Sequence, residues 1–233
     1  MTNDPSIYGL AIVAHPDDET FLLAGTCLKF ADEGKRVGVV CATRGEKGAD
    51  RLNRNLSQPE MAKVRVKELQ TACTIIKCAM VEYFDYPDGE LDKADFKQLV
   101  QKLAEKIDQY KPAVILTFGE EGISGHKDHI VIGHAAVAAA SAAKHKVNEI
   151  WLASMPVSAI EKFNQHLAER KVHHSHFQKQ KLQGVADEKL MMIDIQKHAA
   201  QKHQALKAHK SQYLPRFVLD IFLKYECFEV IKP

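Results

Sequence analysis

No run of this chain approaches the roughly 20 apolar residues that span a bilayer. Its amino end also lacks a charged segment leading into a long apolar one with a small-residue cleavage site. The expectation is a soluble, unexported, cytoplasmic protein. Blocks of a single charge sign are missing as well: 32 Lys and Arg face 30 Asp and Glu, a formal net charge of +2. That leaves no basic tail for a nucleic acid. Five cysteines, Cys27, Cys41, Cys73, Cys78 and Cys227, are scattered among apolar neighbours and never at Cys-x-x-Cys spacing. Reduced, buried thiols are expected, with no metal knuckle or redox pair. Also absent is the Gly-x-Gly-x-x-Gly that follows the first strand of a dinucleotide-binding domain. His15, Pro16, Asp17 and Asp18 stand there instead, placing negative charge where a pyrophosphate would sit.

What is present reads as an α/β chain of one domain, 1–233, with 156–233 as its carboxyl-terminal elaboration. Short apolar runs predict buried strands at Ile7–Ala14, Val37–Ala42, Met80–Phe84, Ala113–Phe118 and Glu149–Ala153. Apolar residues at helical spacing predict helices over Thr20–Glu33, Met61–Thr74, Asp92–Tyr110 and His129–Lys144. This alternation builds β-α-β units and a parallel sheet. Beyond Pro156 the pattern loosens: helices are expected over Val157–Ala168 and Asp194–Ser211, a strand near Lys189–Ile193, and an edge strand over Lys224–Ile231. Three polar stretches leave strand ends: Thr43–Glu60, Asp85–Glu90 and Gly119–His129. The first is longer than an ordinary connection, which favours a binding loop.

Two of the strand-end stretches carry metal-ligand chemistry. His15-Pro16-Asp17-Asp18-Glu19 follows the first strand, and Gly125-His126-Lys127-Asp128-His129 follows the fourth. Parallel strands release their chains at one sheet edge, so the two can meet in one crevice. A catalytic zinc takes three ligands from His and carboxylate and keeps a position for water. His15, Asp18 and His129 can supply that set. Asp17, adjacent to a ligand but free to face elsewhere, is the candidate general base. His126 shares a helical face with His129 and can stabilise an oxyanion or protonate a departing amine, with Asp128 orienting it through a hydrogen bond. Magnesium or calcium would prefer a more oxygen-rich shell, whereas iron accepts the same ligands as zinc.

These motifs resemble the LmbE or PIG-L family of zinc-dependent N-acetylglucosaminyl deacetylases. The resemblance lies in Ala14 to Glu19, in Thr43-Arg44-Gly45-Glu46, in Arg65 with Glu68 and Leu69, and in Gly125 to His129. It includes a late segment running from Lys202 through His209 to Gln212. It implies a Rossmann-like three-layer αβα sandwich with a mostly parallel sheet and no nucleotide cofactor. It also implies Zn2+ on His15, Asp18 and His129, and hydrolysis of the N-acetyl group of an N-acetylglucosamine conjugate such as a bacillithiol or mycothiol precursor. Assembly into a homo-oligomer is a further family expectation. On the substrate side it points to Arg44 and Glu46, to His209 in the late segment, and to Arg65, for which an ion pair with Glu68 is an equal expectation. Two positions depart from the family: Lys127 stands where proline is usual, and Ser124 where mycothiol-pathway enzymes have tyrosine.

Other readings are an amidase acting on a different acyl-amine, such as a thiol conjugate or a chitin-like oligomer, and a non-catalytic metal- or sugar-binding protein. The second leaves Asp17 and His126 without a chemical reason. His173, His174 and His176 are read as a solvated patch, and Trp151 and Phe163 as core.

Overall fold

Short β-branched runs bounded by polar loops become the strands of one seven-stranded sheet in the computed structural model, which describes residues 6–169, 184–214 and 220–233. The strands are β1 (Gly9–Val13), β2 (Val37–Thr43), β3 (Met80–Tyr86), β4 (Val114–Phe118), β5 (Glu149–Ala153), β6 (Met191–Asp194) and β7 (Tyr225–Ile231). Their order across the sheet is β3-β2-β1-β4-β5-β7-β6. Strands β1 to β5 pair in parallel, while β7 runs antiparallel to β5 and β6 antiparallel to β7. Every residue of β1, β2 and β4 is buried, as a strand covered on both faces requires.

Helices cover the two faces. On one lie α1 (Asp18–Asp32), α2 (Gln58–Ile75) and α7 (Ala199–Ala208); on the other lie α3 (Phe96–Tyr110) and α5 (Lys127–Ala142). A single turn, α4 (Gly122–Gly125), precedes α5, and α6 (Val157–Glu169) follows β5. The chain leaves β1 toward β2 and β3, and leaves β4 toward β5. The sheet edge between β1 and β4 is therefore the topological switch point, where open α/β sheets form a crevice. The expected α/β sandwich with its mostly parallel sheet is the observed one.

Local chemistry explains where element bounds differ from the sequence reading. Helix α2 starts at Gln58, ahead of Met61, because Ser57 and Glu60 form a capping box and Pro59 falls in the first turn, where its missing N–H costs nothing. Helix α3 starts at Phe96, after Asp92, because the Asp95 carboxylate accepts from the backbone N–H groups of Lys97 and Gln98. The expected edge strand over Lys224–Ile231 is a correction: β7 lies inside the sheet, and the short β6 forms the edge. Its buried Cys227 and Phe228 fit that position; periodicity reports which face is buried, not which strands flank it.

Trp151 packs against Phe30 and Phe228 at ring distances of 5.4 and 5.6 Å, a core position. All five cysteines are free, four of them buried. Among the described residues no helix is long and apolar enough to cross a membrane. His173, His174 and His176 lie outside the described residues.

Candidate active site

The chain leaves β1 after Val13 and enters α1 at Asp18, so His15, Asp17 and Asp18 are placed within one turn at the switch point. The second group comes from the start of α5. Gly133 lets that helix lie against the end of β4: a Cβ at this position would stand 2.7 Å from the Phe118 carbonyl oxygen. This close approach stacks the His129 ring on Phe118, with centroids 4.1 Å apart and planes at 13°.

His15, Asp18 and His129 converge. His15 Nδ1 lies 3.2 Å from His129 Nε2, and the Asp18 carboxylate lies 3.3 Å from His129 Nε2 and 3.6 Å from His15 Nδ1. The outer ring nitrogens decide the tautomers. His129 Nδ1 faces the Gly122 carbonyl at 3.1 Å, and His15 Nε2 faces Asp128 Oδ2 at 3.2 Å and Asp88 Oδ1 at 3.1 Å. Those acceptors call for the proton on the outer nitrogen, which turns two lone pairs and a carboxylate toward one point. Such convergence suits a cation placed between them. For a tetrahedral ion with bonds of roughly 2.0–2.1 Å the ligand atoms stand about 3.3 Å apart, and the observed separations bracket that distance. These residues can therefore hold a metal ion. One ring nitrogen each of His15, His126 and His129 also lies within 4.8 Å of the others, as does one side-chain N or O atom each of His15, Asp88 and Asp128, so these groups too could hold a metal ion.

Asp128 departs from its expected place. Its carboxylate does not reach His126; it accepts from the N–H groups of Gly89 at 2.7 Å and Leu91 at 3.1 Å and holds His15. Residues 126 and 128 are joined the other way, through the Asp128 N–H donating to His126 Nδ1 at 3.2 Å, which caps α5. The physical reason is the helix start itself, which points the Asp128 side chain back toward the β1 end. Asp88, which accepts from the Lys47 N–H at 2.8 Å, shares the hold on His15. The sequence reading passed over Asp88; its signal was the polar Asp88-Gly89 turn at the end of β3, beside β2.

Electrostatics follow from these contacts. Burial opposes charge on Asp18, yet His129 and His15 hold its carboxyl well below the usual range. Burial likewise opposes charge on Asp88 and Asp128, and His15 lowers both. The His15 imidazole is raised despite burial, through Asp128, Asp18 and Asp88. His126 is pushed down by burial and by His15 and His129.

Asp17 is set apart from His15, Asp18 and His129 by its backbone. Its φ of 121° lies in a region that non-glycine residues rarely adopt, and such strain persists only where surrounding contacts over-determine it. Arg65 supplies one clamp. Its guanidinium lies 3.1 Å from Asp17 Oδ2 and donates to the carbonyl oxygens of Gly45, at 2.9 Å, and Pro16. The expected Arg65–Glu68 pair is not formed: Glu68 accepts instead from the N–H and hydroxyl of Ser211, at 2.9 and 2.6 Å. Glu19 supplies the second clamp, accepting from the Asp17 N–H at 2.9 Å and meeting His209 Nε2 at 2.8 Å. Burial raises the Asp17 carboxyl above its ordinary value, against the pull of Arg65.

A cavity of about 510 Å³ opens over this cluster. His15, Asp17, Asp18, Arg65, His126 and His129 all line it. The other expected substrate contacts lie elsewhere. Arg44 pairs with Asp85 at 2.6 Å on the surface, Glu46 accepts from the Asp88 N–H at 2.8 Å, and His209 is buried behind Glu19. None of the three lines the cavity. Besides Arg65, its lining holds two further basic groups, Lys47 and Arg51, which come from the long loop after β2 and which the sequence reading passed over. Phe163, expected as core, is buried and also lines the cavity.

Comparisons with known proteins bear on this site. A 1D-myo-inositol 2-acetamido-2-deoxy-alpha-D-glucopyranoside deacetylase of Saccharopolyspora erythraea is 28% identical, with 87% of this chain and 77% of the relative covered. The probable N-acetyl-alpha-D-glucosaminyl L-malate deacetylase 2 of Bacillus anthracis is 26% identical over 93% of this chain and 86% of its own. Among solved structures, the N,N'-diacetylchitobiose deacetylase of Pyrococcus horikoshii superposes with a TM-score of 0.73 at 18% identity, covering 100% of this chain and 87% of that one. A 4-carboxy-2-hydroxymuconate hydratase of Pseudomonas putida superposes at 0.70 and 18% identity, covering 97% of each chain, so the fold alone does not select a reaction. The sequence does select a family: residues 10–140 match GlcNAc-PI de-N-acetylase, and the chain belongs to this PIG-L family.

Proposed function

We propose that this protein is a zinc-dependent hydrolase that removes the N-acetyl group from an N-acetylglucosamine conjugate. The observation that carries the reading is the convergence of His15, Asp18 and His129 beside the clamped Asp17 on one cavity wall. Relatives that act on inositol- and malate-linked glucosaminides support the substrate class. Zinc suits two imidazoles and one carboxylate, and when bound it supplies Lewis-acid polarisation of a carbonyl and acidifies a water.

The remaining steps belong to the chain. Asp17, raised by burial and oriented by Arg65, takes the proton of the attacking water and gives it to the departing amine as the C–N bond breaks. His126 accepts a backbone N–H at Nδ1, so its neutral form carries the proton on Nε2. With its basicity lowered, the ring serves better as a neutral donor to the developing oxyanion than as an acid. Asp128 and Asp88 keep the His15 lone pair on the ligand side. Strands β6 and β7 complete the same sheet, which supports reading 156–233 as an elaboration of one domain. Five free thiols support a reducing, cytoplasmic setting. Self-association belongs to the proposal through the family resemblance, with sedimentation as its measurement.

The test is acetate release by zinc-loaded protein from free N-acetylglucosamine, its malate and inositol glycosides and short chitin oligomers. Asp17→Asn should keep its metal and lose about 10²–10⁴-fold in rate. Full activity of that variant would remove Asp17 as the base. Absence of release from every compound, with metal bound, would move the substrate to another acyl-amine.

A further inference from the structure

Glu19, Thr20 and His209 lie buried behind the base, each 1% exposed or less, and none of them lines the cavity. Polar groups this deep are costly to take out of water unless their hydrogen bonds are met. Here the bonds lead toward Asp17. Glu19 Oε2 accepts from the Asp17 N–H at 2.9 Å, while Oε1 accepts from the Thr20 hydroxyl and meets His209 Nε2 at 2.8 Å. The Thr20 hydroxyl oxygen lies 3.3 Å from the same ring nitrogen. A carboxylate only accepts, so the proton between Glu19 and the ring belongs to His209 Nε2. The opposite nitrogen, Nδ1, is buried without a hydrogen-bond partner among the described residues. The polar contacts of the ring therefore all lie on the Glu19 side.

Asp17 is the residue with most need of such a hold. Its backbone, at φ 121° and ψ −26°, is strained, and its side chain makes no capping hydrogen bond to α1. Its carbonyl oxygen is fixed by α1, accepting from the N–H groups of Thr20 at 2.9 Å and Phe21 at 3.0 Å. Its N–H has Glu19 as acceptor. Glu19 belongs to the same turn and would follow a relaxation of it. His209 belongs to another element: it caps the end of α7, 190 residues along the chain from Glu19, and Ser211 beside it is bonded to Glu68 of α2.

We propose that His209 is a positioning residue for the base, its Nε2–H fixing Glu19 so that Glu19 keeps the Asp17 N–H and the strained backbone that sets the Asp17 carboxylate on the cavity wall. The inference rests on the deacetylase reading, in which Asp17 takes the proton of the water, and adds to it a residue that acts through hydrogen bonds without reaching substrate.

His209→Met in the zinc-loaded enzyme removes the donor and keeps the bulk. A base displaced by about 1 Å loses roughly 10²-fold, so kcat should fall by about 10–100-fold while zinc content stays constant. KM should stay within about twofold, the mark of an interaction made only in the transition state. His209→Gln, whose amide nitrogen reaches the place of Nε2, should recover kcat to within roughly threefold of wild type. His209→Asn, whose shorter amide follows Nδ1, should behave as His209→Met and replaces it should that variant not fold. In an Asp17→Asn background His209→Met should cost nothing further, because the two act as a unit. Wild-type kcat in His209→Met, a loss carried by KM or by metal content, no recovery in His209→Gln, or an additive loss beside Asp17→Asn would each overturn the proposal. A readout without turnover is the Asp17 amide proton, followed by NMR in protein labelled with ¹⁵N aspartate. It should move upfield in His209→Met and hold its place in His209→Gln; an unmoved signal in His209→Met would also overturn the proposal. Acetate release by the wild type, and its loss in Asp17→Asn, report separately on the deacetylase reading.

Discussion

Arg44 and Arg65 both belong to family-like motifs, yet their surroundings assign them different work. Arg65 is buried, with its guanidinium divided among Asp17, Gly45 and Pro16. Removing one partner of a buried pair leaves an uncompensated charge, at about 3–5 kcal/mol. A base displaced by about 1 Å loses roughly 10²-fold in rate. Arg65→Met should therefore lower kcat by about that factor while metal content stays constant. Arg44 pairs with an Asp85 whose side chain is 76% exposed, and such pairs contribute about 0–1 kcal/mol. Steady-state kinetics of Arg44→Ala should match the wild type within about twofold; a larger loss would return Arg44 to the substrate site. Asp128→Asn is a third case. Its carboxylate holds His15, not His126, so the readout is metal affinity, expected to fall by about 10–100-fold in a competitive chelator titration. Both arginines and Asp128 were visible in the sequence as polar residues near the site. Their partners were not, because Pro16, Gly45 and Asp17 reach Arg65 only after two strand ends and α2 have been brought together.

At the scale of elements, α5 carries His126, Asp128 and His129 as one body. Its seat depends on Gly133 against the Phe118 carbonyl. A methyl group there meets backbone, which cannot rotate away, and overpacking of this kind costs about 1–3 kcal/mol. Gly133→Ala should lower the melting temperature and, by shifting the helix start, lower metal affinity as well. A variant that is destabilised but binds metal normally would show that the helix moves without carrying its ligands. The late segment acts on the opposite side. His209 meets Glu19, Ser211 engages Glu68, and Gln212 donates to the Ala49 carbonyl at 2.7 Å. One short stretch thus ties α1, α2 and the long loop together. Most strands and helices were legible from periodicity, since burial on one face or two leaves a local pattern. The interior position of β7 was not, because hydrogen-bonding neighbours leave no trace in a strand's own alternation.

For the molecule as a whole, the carboxylates that hold His15 bear on two bulk properties, the response to added metal and the stability in acid. A ligand that binds only the native state at about 100 times its dissociation constant adds about 2.7 kcal/mol. For a chain of this size that is roughly 5–10 °C in melting temperature. Zinc added to chelator-treated protein should raise the transition by this amount, and His15→Ala should abolish the rise. Asp88 and Asp128 titrate below the ordinary carboxylate value in the folded protein. Their contribution is fully present above the unfolded value of about 3.9 and is lost as pH falls through the depressed folded values. Metal-free protein should accordingly lose stability below about pH 4, with a shallower loss in Asp88→Asn.

The amino-acid sequence by itself determined the α/β class and the strand-end position of both histidine motifs, because each is a local pattern: an apolar run, a turn, a polar cluster. Only the tertiary structure decided that β1 and β4 flank the switch point and that Asp88 joins Asp128 behind His15. It alone placed Arg65 beside Asp17. Those arrangements depend on which strands pair and how closely helices approach them. Both are settled by burial and hydrogen bonding between segments far apart in the chain, and no single segment carries that information.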